Sequence, residues 1–164
     1  MAEHAMRRAR QQMSEEEAWA LVDEATSGVL CLVDADGEPY GVPLSHARSG
    51  DRLLFHTAVT GHKLDAVRAC DRASFTVVAA DDVHAMELTT YFRSAICFGR
   101  VRVLEDEAEV RSALRVIGER FLPERPDVCD AEVEGAIGRV AAIELRVERI
   151  TGKQAKELAF GTRS

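Results

Sequence analysis

The sequence predicts a mainly β domain of the α+β class: a six-stranded antiparallel Greek-key barrel with flanking helices. Three observations lead there. Between residues 28 and 58, apolar segments of strand length follow one another through turn-length connections, and short loops join antiparallel neighbours because a parallel pair needs a long crossover. Helical periodicity is confined to two or three stretches. Closing a sheet of this size into a barrel also removes edges that an open sheet would leave exposed.

The chain has 164 residues, 46% hydrophobic and 30% charged, which suits one domain with a substantial core. Residues 1–13 are expected to be a flexible segment, 14–157 the folded domain and 158–164 a tail. In chain order, Ser14 with Glu17 forms a capping box, and Glu15 to Glu17 suit the positive end of a helix. Ala18, Leu21, Val22 and Ala25 make its apolar stripe, and Gly28 ends it. Segments 29–33 and 38–46 flank Asp34-Ala35-Asp36-Gly37, whose Asp-Gly pair predicts a hairpin. A turn at Arg48-Ser49-Gly50-Asp51 leads into a third strand, 52–58, expected beside the second.

A short helix over 62–70 follows, then an apolar strand over 73–80, a polar loop over 81–88 and a long strand over 91–104 in which Gly99 marks a bend. Asp106 caps a helix with the stripe Val110, Ala113, Leu114, Ile117 and Phe121, closed by Pro123. Residues 124–138, with Pro126 and two charged clusters, read as loop with room for one helical turn. In the last strand Ala141, Ile143, Leu145 and Val147 alternate with Glu144, Arg146 and Glu148, placing one face on the core and the other in water. From Thr151 the chain reads as a polar tail.

Charge and composition exclude several classes of function. With 21 basic and 28 acidic residues the net charge is −7, which repels a phosphate backbone, so no nucleic-acid partner is expected. No apolar run approaches the roughly 20 residues of a spanning helix, and the polar start with Arg7, Arg8 and Arg10 is no signal peptide. A cytoplasmic protein without a membrane partner is expected. Cys31, Cys70, Cys97 and Cys129 form no C-x-x-C pair and lie near no histidine at ligand spacing, so they read as free thiols, Cys31 and Cys97 in the core, with no metal site. The nucleophile elbow, the P-loop, the zincin helix and the dinucleotide fingerprint are all lacking. Asp81-Asp82 and Asp34/Asp36 read as turn chemistry.

Three places could carry chemistry. Thr60-Gly61-His62-Lys63 puts two potential cations at a helix start, which normally prefers Asp or Glu. Free amides, a close-approaching glycine, a hydroxyl and a lysine together make a phosphate site; alternatively Lys63 is a solvated surface residue and Gly61 a turn. His56 lies on the strand leading to that corner, on the face of Leu54 and Ala58. It either points a titratable group at the anion site or is a core histidine bonded to a backbone carbonyl. His46 ends a strand at a rim or functional position, and His4 and His84 are expected in solvent. Arg93 and Ser94 enter an otherwise apolar strand. A buried arginine requires an anion, either an internal carboxylate among Asp81, Asp82 and Glu87 or one on a ligand.

The ordered landmarks Gly28-Val29-Leu30-Cys31-Leu32-Val33 with Asp36-Gly37-Glu38-Pro39-Tyr40, Val42-Pro43-Leu44, Leu54-Phe55-His56-Thr57-Ala58 with Gly61-His62-Lys63, Arg93-Ser94-Ala95-Ile96-Cys97-Phe98-Gly99-Arg100, and Ile150-Thr151-Gly152-Lys153 resemble the flavin-binding split-barrel superfamily that includes pyridoxamine 5′-phosphate oxidase. Within it the chain is similar to flavoproteins of the nitroimidazole-resistance type. The resemblance spans about residues 14 to 157 and implies a six-stranded split barrel that forms a homodimer with one FMN at each of two sites between subunits. It places the phosphate at Thr60, Gly61, His62 and Lys63, runs the strand of His56 and Thr57 along the flavin, and sets Arg93 and Ser94 at the flavin rim from the partner chain. His56 matches a histidine next to flavin and substrate. The family's usual Tyr-Arg-Ser is Phe92-Arg93-Ser94 here, with Tyr91 one residue earlier and facing the other side of a regular strand. The basic residues that mark a pyridoxamine-phosphate oxidase near the C-terminus are not evident, so that activity is not expected.

Two functions follow from the resemblance. The first is an FMN-dependent oxidoreductase taking electrons from NAD(P)H to a small, nitroaromatic acceptor, with His56 donating a proton or orienting the substrate; imidazole suits that task because it titrates near neutrality. The second is a non-enzymatic carrier or sensor of FMN, haem or another planar cofactor.

Overall fold

The computed structural model describes residues 6–160; the expectations for residues 1–5, His4 included, and for 161–164 lie outside the described residues. In chain order the elements are β1 (Gln12–Met13), α1 (Glu15–Glu24), β2 (Ser27–Val33), β3 (Pro39–Ser45), β4 (Ala47–Ser49), β5 (Arg52–Ala58), α2 (His62–Ala69), β6 (Arg72–His84), β7 (Thr89–Leu104), α3 (Glu107–Phe121), α4 (Pro126–Ala136), β8 (Val140–Gln154) and α5 (Lys156–Phe160). The strands form one sheet in the order β3-β2-β6-β7-β8-β5-β4, with β1 paired to β8, and every pairing is antiparallel.

β3 and β4 occupy opposite edges of this sheet, yet only His46 separates them in the chain. The sheet must therefore curl until its edges meet there, which makes it a split barrel. The predicted class holds and its details change. Eight strands replace six, two of them only two and three residues long. The second predicted strand was expected beside the third, but β3 pairs with β2 over its full length and only Ala47–Ser49 turn back onto β5. Gly50, at φ 64°, reverses just those last residues.

Three further corrections concern element ends. The first half of the expected polar loop 81–88 is strand, because Asp81 to His84 continue the ladder with Thr89 to Phe92; Asp81 and Asp82 are exposed on a projecting arm. The expected tail from Thr151 is strand as far as Gln154, held between Ser94 and Gln12 through Lys153. Residues 124–138 contain the helix α4. Pro126 occupies its first turn, where no amide donor is needed, and the charged clusters pair across to α3, Arg111 with Glu134 and Arg115 with Asp130.

α1 starts with the predicted capping box: Ser14 N donates to Glu17 Oε2 at 2.7 Å and Glu17 N to Ser14 Oγ at 3.1 Å. Its stripe of Ala18, Leu21 and Val22 plugs the barrel, where Leu30, Leu53, Phe55, Phe75, Ile143 and Leu145 are fully buried. The predicted bend appears as a register shift between Phe98 and Gly99. A Cβ at Gly99 would lie 1.9 Å from Arg146 O, so only glycine admits the approach of β8.

α3, capped by Asp106 through Glu109 N at 3.0 Å, covers the outer face of the barrel over Ala47, Leu54, Leu104 and Ala142. That cover corrects the expectation that Glu144 faces water. Its side chain is only 9% exposed and is held by Arg102 Nε at 3.0 Å and Arg52 Nη1 at 3.4 Å. His46, expected at a rim, is fully buried against Phe75, with Nε2 2.8 Å from Val22 O. All four cysteines are free; Cys97 and Cys129 are buried, whereas Cys31 and Cys70 are half-buried. Burial pushes the Cys97 thiol up to about 12, consistent with packing rather than reactivity.

Candidate functional site

β5 runs into α2 through Val59, Thr60 and Gly61, so Thr57, Thr60, Gly61, His62 and Lys63 lie at one corner at the barrel's end, while His56 projects from the other face of β5, the face of Leu54. Gly61 caps α2 at φ 131°, a conformation that favours glycine, and nothing lies within 4 Å of where a Cβ would stand. No side chain caps the helix. Its first bonds to Gly61 O come from Leu64 N at 2.9 Å and Asp65 N at 3.3 Å, which leaves the amides of His62 and Lys63 as donors facing outward from the helix start.

Lys63 is half-buried and its Nζ donates to Thr57 Oγ1 at 2.9 Å. Desolvation alone pushes its pKa below the ordinary 10.5, with no carboxylate opposing the shift. A partly desolvated ammonium held by a neutral hydroxyl gains from an anion.

His62 is turned aside. Its Nε2 lies 3.7 Å from Asp34 Oδ2 and its ring meets Tyr40 edge-on at 4.4 Å. Asp34 has two tasks, since its Oδ1 also accepts from Asp36 N at 3.0 Å and Glu38 N at 2.9 Å in the β2–β3 turn. The sequence reading found the turn chemistry of Asp34 and missed its contact with α2, as it missed Tyr40; nothing local in the sequence signals a contact across the barrel's end.

His56 is exposed, opposite Ala142 on β8, so it is no core histidine. Arg93, expected to be buried, is exposed as well. The arm carrying it runs past the end of the barrel, and two of the three suggested carboxylates are engaged elsewhere, Asp82 with His84, and Glu87 with His84 and Tyr91. Tyr91 faces this cluster, stacking on His84 at 3.6 Å, while Phe92, beside it in the strand, lies under Lys153 Nζ at 5.4 Å. Ser94 is half-buried between Val78 and Lys153.

The register divides the candidates into two groups. His56 aligns with Ala142, which aligns with Leu104; Arg93 lies near the other end of the same strand, a contour of roughly 35 Å at the usual strand rise. One chain therefore does not bring Arg93 and Ser94 to the α2 corner. One cleft of about 210 Å³ lies beside Trp19, away from both groups, and another of about 290 Å³ lies under α3, where Leu54 and Leu104 line it on the face of β5 that carries His56. Among the described residues no helix is long and apolar enough to cross a membrane.

A search of curated proteins found no match. Among solved structures, the FAD- and haem-binding protein of Mycobacterium smegmatis is 28% identical, with a TM-score of 0.76 over 88% of this chain and 73% of that one. A candidate 5-nitroimidazole antibiotic resistance protein of Bacteroides thetaiotaomicron is 23% identical, with a TM-score of 0.71 over 87% and 85% of the two chains. The flavocytochrome Anf3 of Azotobacter vinelandii is 21% identical, with a TM-score of 0.75 over 97% and 79%. At such identities the last two speak for the fold. The family model for pyridoxamine 5′-phosphate oxidase matches residues 14–154, and with the split-barrel topology this places the chain in the pyridoxamine 5′-phosphate oxidase family.

Proposed function

We propose that the protein is an FMN-binding oxidoreductase acting as a homodimer, in which residues 14–157 form the flavin-binding domain and each flavin lies between two copies. The observation that carries this reading is the α2 corner: a desolvated Lys63 with only the Thr57 hydroxyl for company, two outward amides and an open glycine backbone. These residues fit a phosphate ester, whose negative charge would complement both the ammonium and the helix dipole.

Lys63 and the amides of residues 62 and 63 hold the phosphate, Thr60 offers its hydroxyl, and Thr57 keeps the lysine in place. His62, tied to Asp34, closes the corner on one side. Bound there, a flavin supplies reversible two-electron redox chemistry. Arg93 and Ser94 border its ring from the second copy, since their own chain carries them away. His56, exposed beside the corner, orients the acceptor or gives it a proton. The donor is NAD(P)H and the acceptor a small oxidised molecule of the nitroaromatic class.

The FAD and haem binding of the M. smegmatis protein supports a second reading, a carrier or sensor of FMN, haem or another planar cofactor without turnover. Spectroscopy separates the two. The first reading expects a yellow protein that NAD(P)H bleaches and a nitroaromatic reoxidises, with His56→Ala slowing reoxidation at least tenfold while FMN affinity stays within twofold. A flavin that stays oxidised under NAD(P)H would favour the carrier. Equal loss of binding and turnover in His56→Ala would remove its assigned role.

A further inference from the structure

The first turn of α2 starts without a side-chain cap, and its N-cap is Gly61 at φ 131°. Such a start frays readily, because glycine gives up the most conformational freedom on ordering and no side chain satisfies the leading amides. Here two tethers hold it. Lys63 Nζ donates to Thr57 Oγ1 on β5 at 2.9 Å. The His62 ring reaches instead to the β2–β3 turn, with Nε2 3.7 Å from Asp34 Oδ2 and its centroid 4.4 Å from that of Tyr40. Three strands lie between β5 and β2 in the sheet, so the first turn is slung across the barrel's end between strands that do not pair.

Of the two partners in the second tether, Asp34 is the fixed one. Its Oδ1 accepts from Asp36 N at 3.0 Å and Glu38 N at 2.9 Å, and its own N donates to Glu38 O at 3.0 Å. Its side chain is 17% exposed, against 55% for His62. The turn thus immobilises the carboxylate and leaves Oδ2 for the imidazole. A contact at the surface adds little to folding stability, so its consequence lies in where it puts the helix start.

We propose that Asp34 is a positioning residue for the anion site: acting through His62, it orders the amides of residues 62 and 63 before a phosphate arrives. This deepens the flavin reading given above and rests on it. A phosphate bound by loose amides must order them at the expense of its own affinity, whereas amides already fixed bind without that loss. Asp34 does not touch the ligand in this arrangement. Its negative charge alone disfavours a phosphate, so its benefit can come only through the ring, and this sets the sign of the test.

A double-mutant cycle isolates that route. Asp34→Asn keeps an oxygen for the amides of Asp36 and Glu38 and loses the carboxylate toward His62; His62→Ala keeps the backbone amide and loses the ring. Each single variant should lower the preference for FMN over riboflavin by about 2- to 10-fold, the worth of ordering one side chain, with riboflavin affinity nearly unchanged. The double variant should lose no more than either single one. In the flavin-free protein, hydrogen exchange at the amides of Leu64 and Asp65, which bond to Gly61 O at 2.9 and 3.3 Å, should quicken about threefold or more in both single variants. Additive losses in the double variant, or tighter FMN binding by Asp34→Asn, would overturn the proposal. So would an unchanged preference or unchanged exchange in a protein whose wild type still favours FMN through Lys63, and the flavin reading would then stand. A wild type indifferent to the phosphate would overturn both.

Discussion

His46 closes the barrel at the point where its two edges meet, and it does so as a neutral side chain. Nε2 donates to Val22 O at 2.8 Å, which fixes the tautomer and leaves Nδ1 buried without a partner. Protonation would bury a charged N–H with nothing to receive it. Burial accordingly pushes the imidazole below its ordinary 6.5, the nearby Arg120 charge adds to this, and the Val22 carbonyl and Asp23 oppose it. The unfolded chain therefore takes up a proton near pH 6.5 that the folded chain refuses. The stability tied to neutral His46 is complete above that pH and is lost as pH falls toward the depressed folded value. One pH unit below 6.5, complete exclusion of the proton would cost RT ln 11, about 1.4 kcal/mol. At a urea m-value of about 2 kcal/mol/M this shifts the midpoint by about 0.7 M. His46→Gln retains an amide able to donate to Val22 O and does not titrate. Urea melts of both proteins at pH 7.5, 6.5 and 5.5 should show the wild type losing up to about 1.4 kcal/mol more than the variant over the whole range, about 1.0 kcal/mol of it over the last step. Parallel pH profiles would refute the reasoning.

Three further perturbations probe the packing. Gly99→Ala sets a methyl group 1.9 Å from Arg146 O and should cost about 3 kcal/mol in chemical denaturation, whereas Gly41→Ala, 3.4 Å from Val29 Cγ1, should cost below about 1 kcal/mol; equal costs would contradict the close strand approach. Glu144→Gln leaves Arg52 and Arg102 without their shared buried carboxylate and should destabilise by about 2 kcal/mol in urea, with no change indicating that the cluster is solvated. Ser14→Ala removes the capping box and should lower stability by about 1 kcal/mol, a loss that Ser14→Asp should largely restore.

What was legible in the sequence is what neighbouring residues decide. Ser14 and Asp106 announce their helices because a cap and the amide it binds are three residues apart. The Asp-Gly turn announces β2 and β3, and Gly99 announces the bulge. The corner at Thr60-Gly61-His62-Lys63 was visible because a glycine and a lysine at a helix start are locally anomalous. What stayed hidden depends on distant partners. Nothing near His46 tells that residues on either side of it serve opposite edges of the sheet, and so nothing marks it as buried. Pro126 and its charged surroundings look like loop until α3 supplies Arg111 and Arg115 to pair with Glu134 and Asp130. Arg93 looked buried because its strand is apolar, but the strand outlasts the barrel at that point. The pairing of Asp34 with His62 crosses from one turn to another helix and leaves no trace in the spacing.

The account stands on the α2 corner receiving a phosphate. Fluorescence titration of FMN and of riboflavin, which lacks the phosphate, against the wild type and Lys63→Ala isolates that contact. The wild type should prefer FMN by about 10- to 100-fold, the worth of charge-assisted hydrogen bonds of about 1.5–3 kcal/mol. Lys63→Ala should lose most of that preference while its riboflavin affinity changes little. Equal affinity of the wild type for the two flavins, or a preference that survives the loss of Lys63, would contradict the central claim.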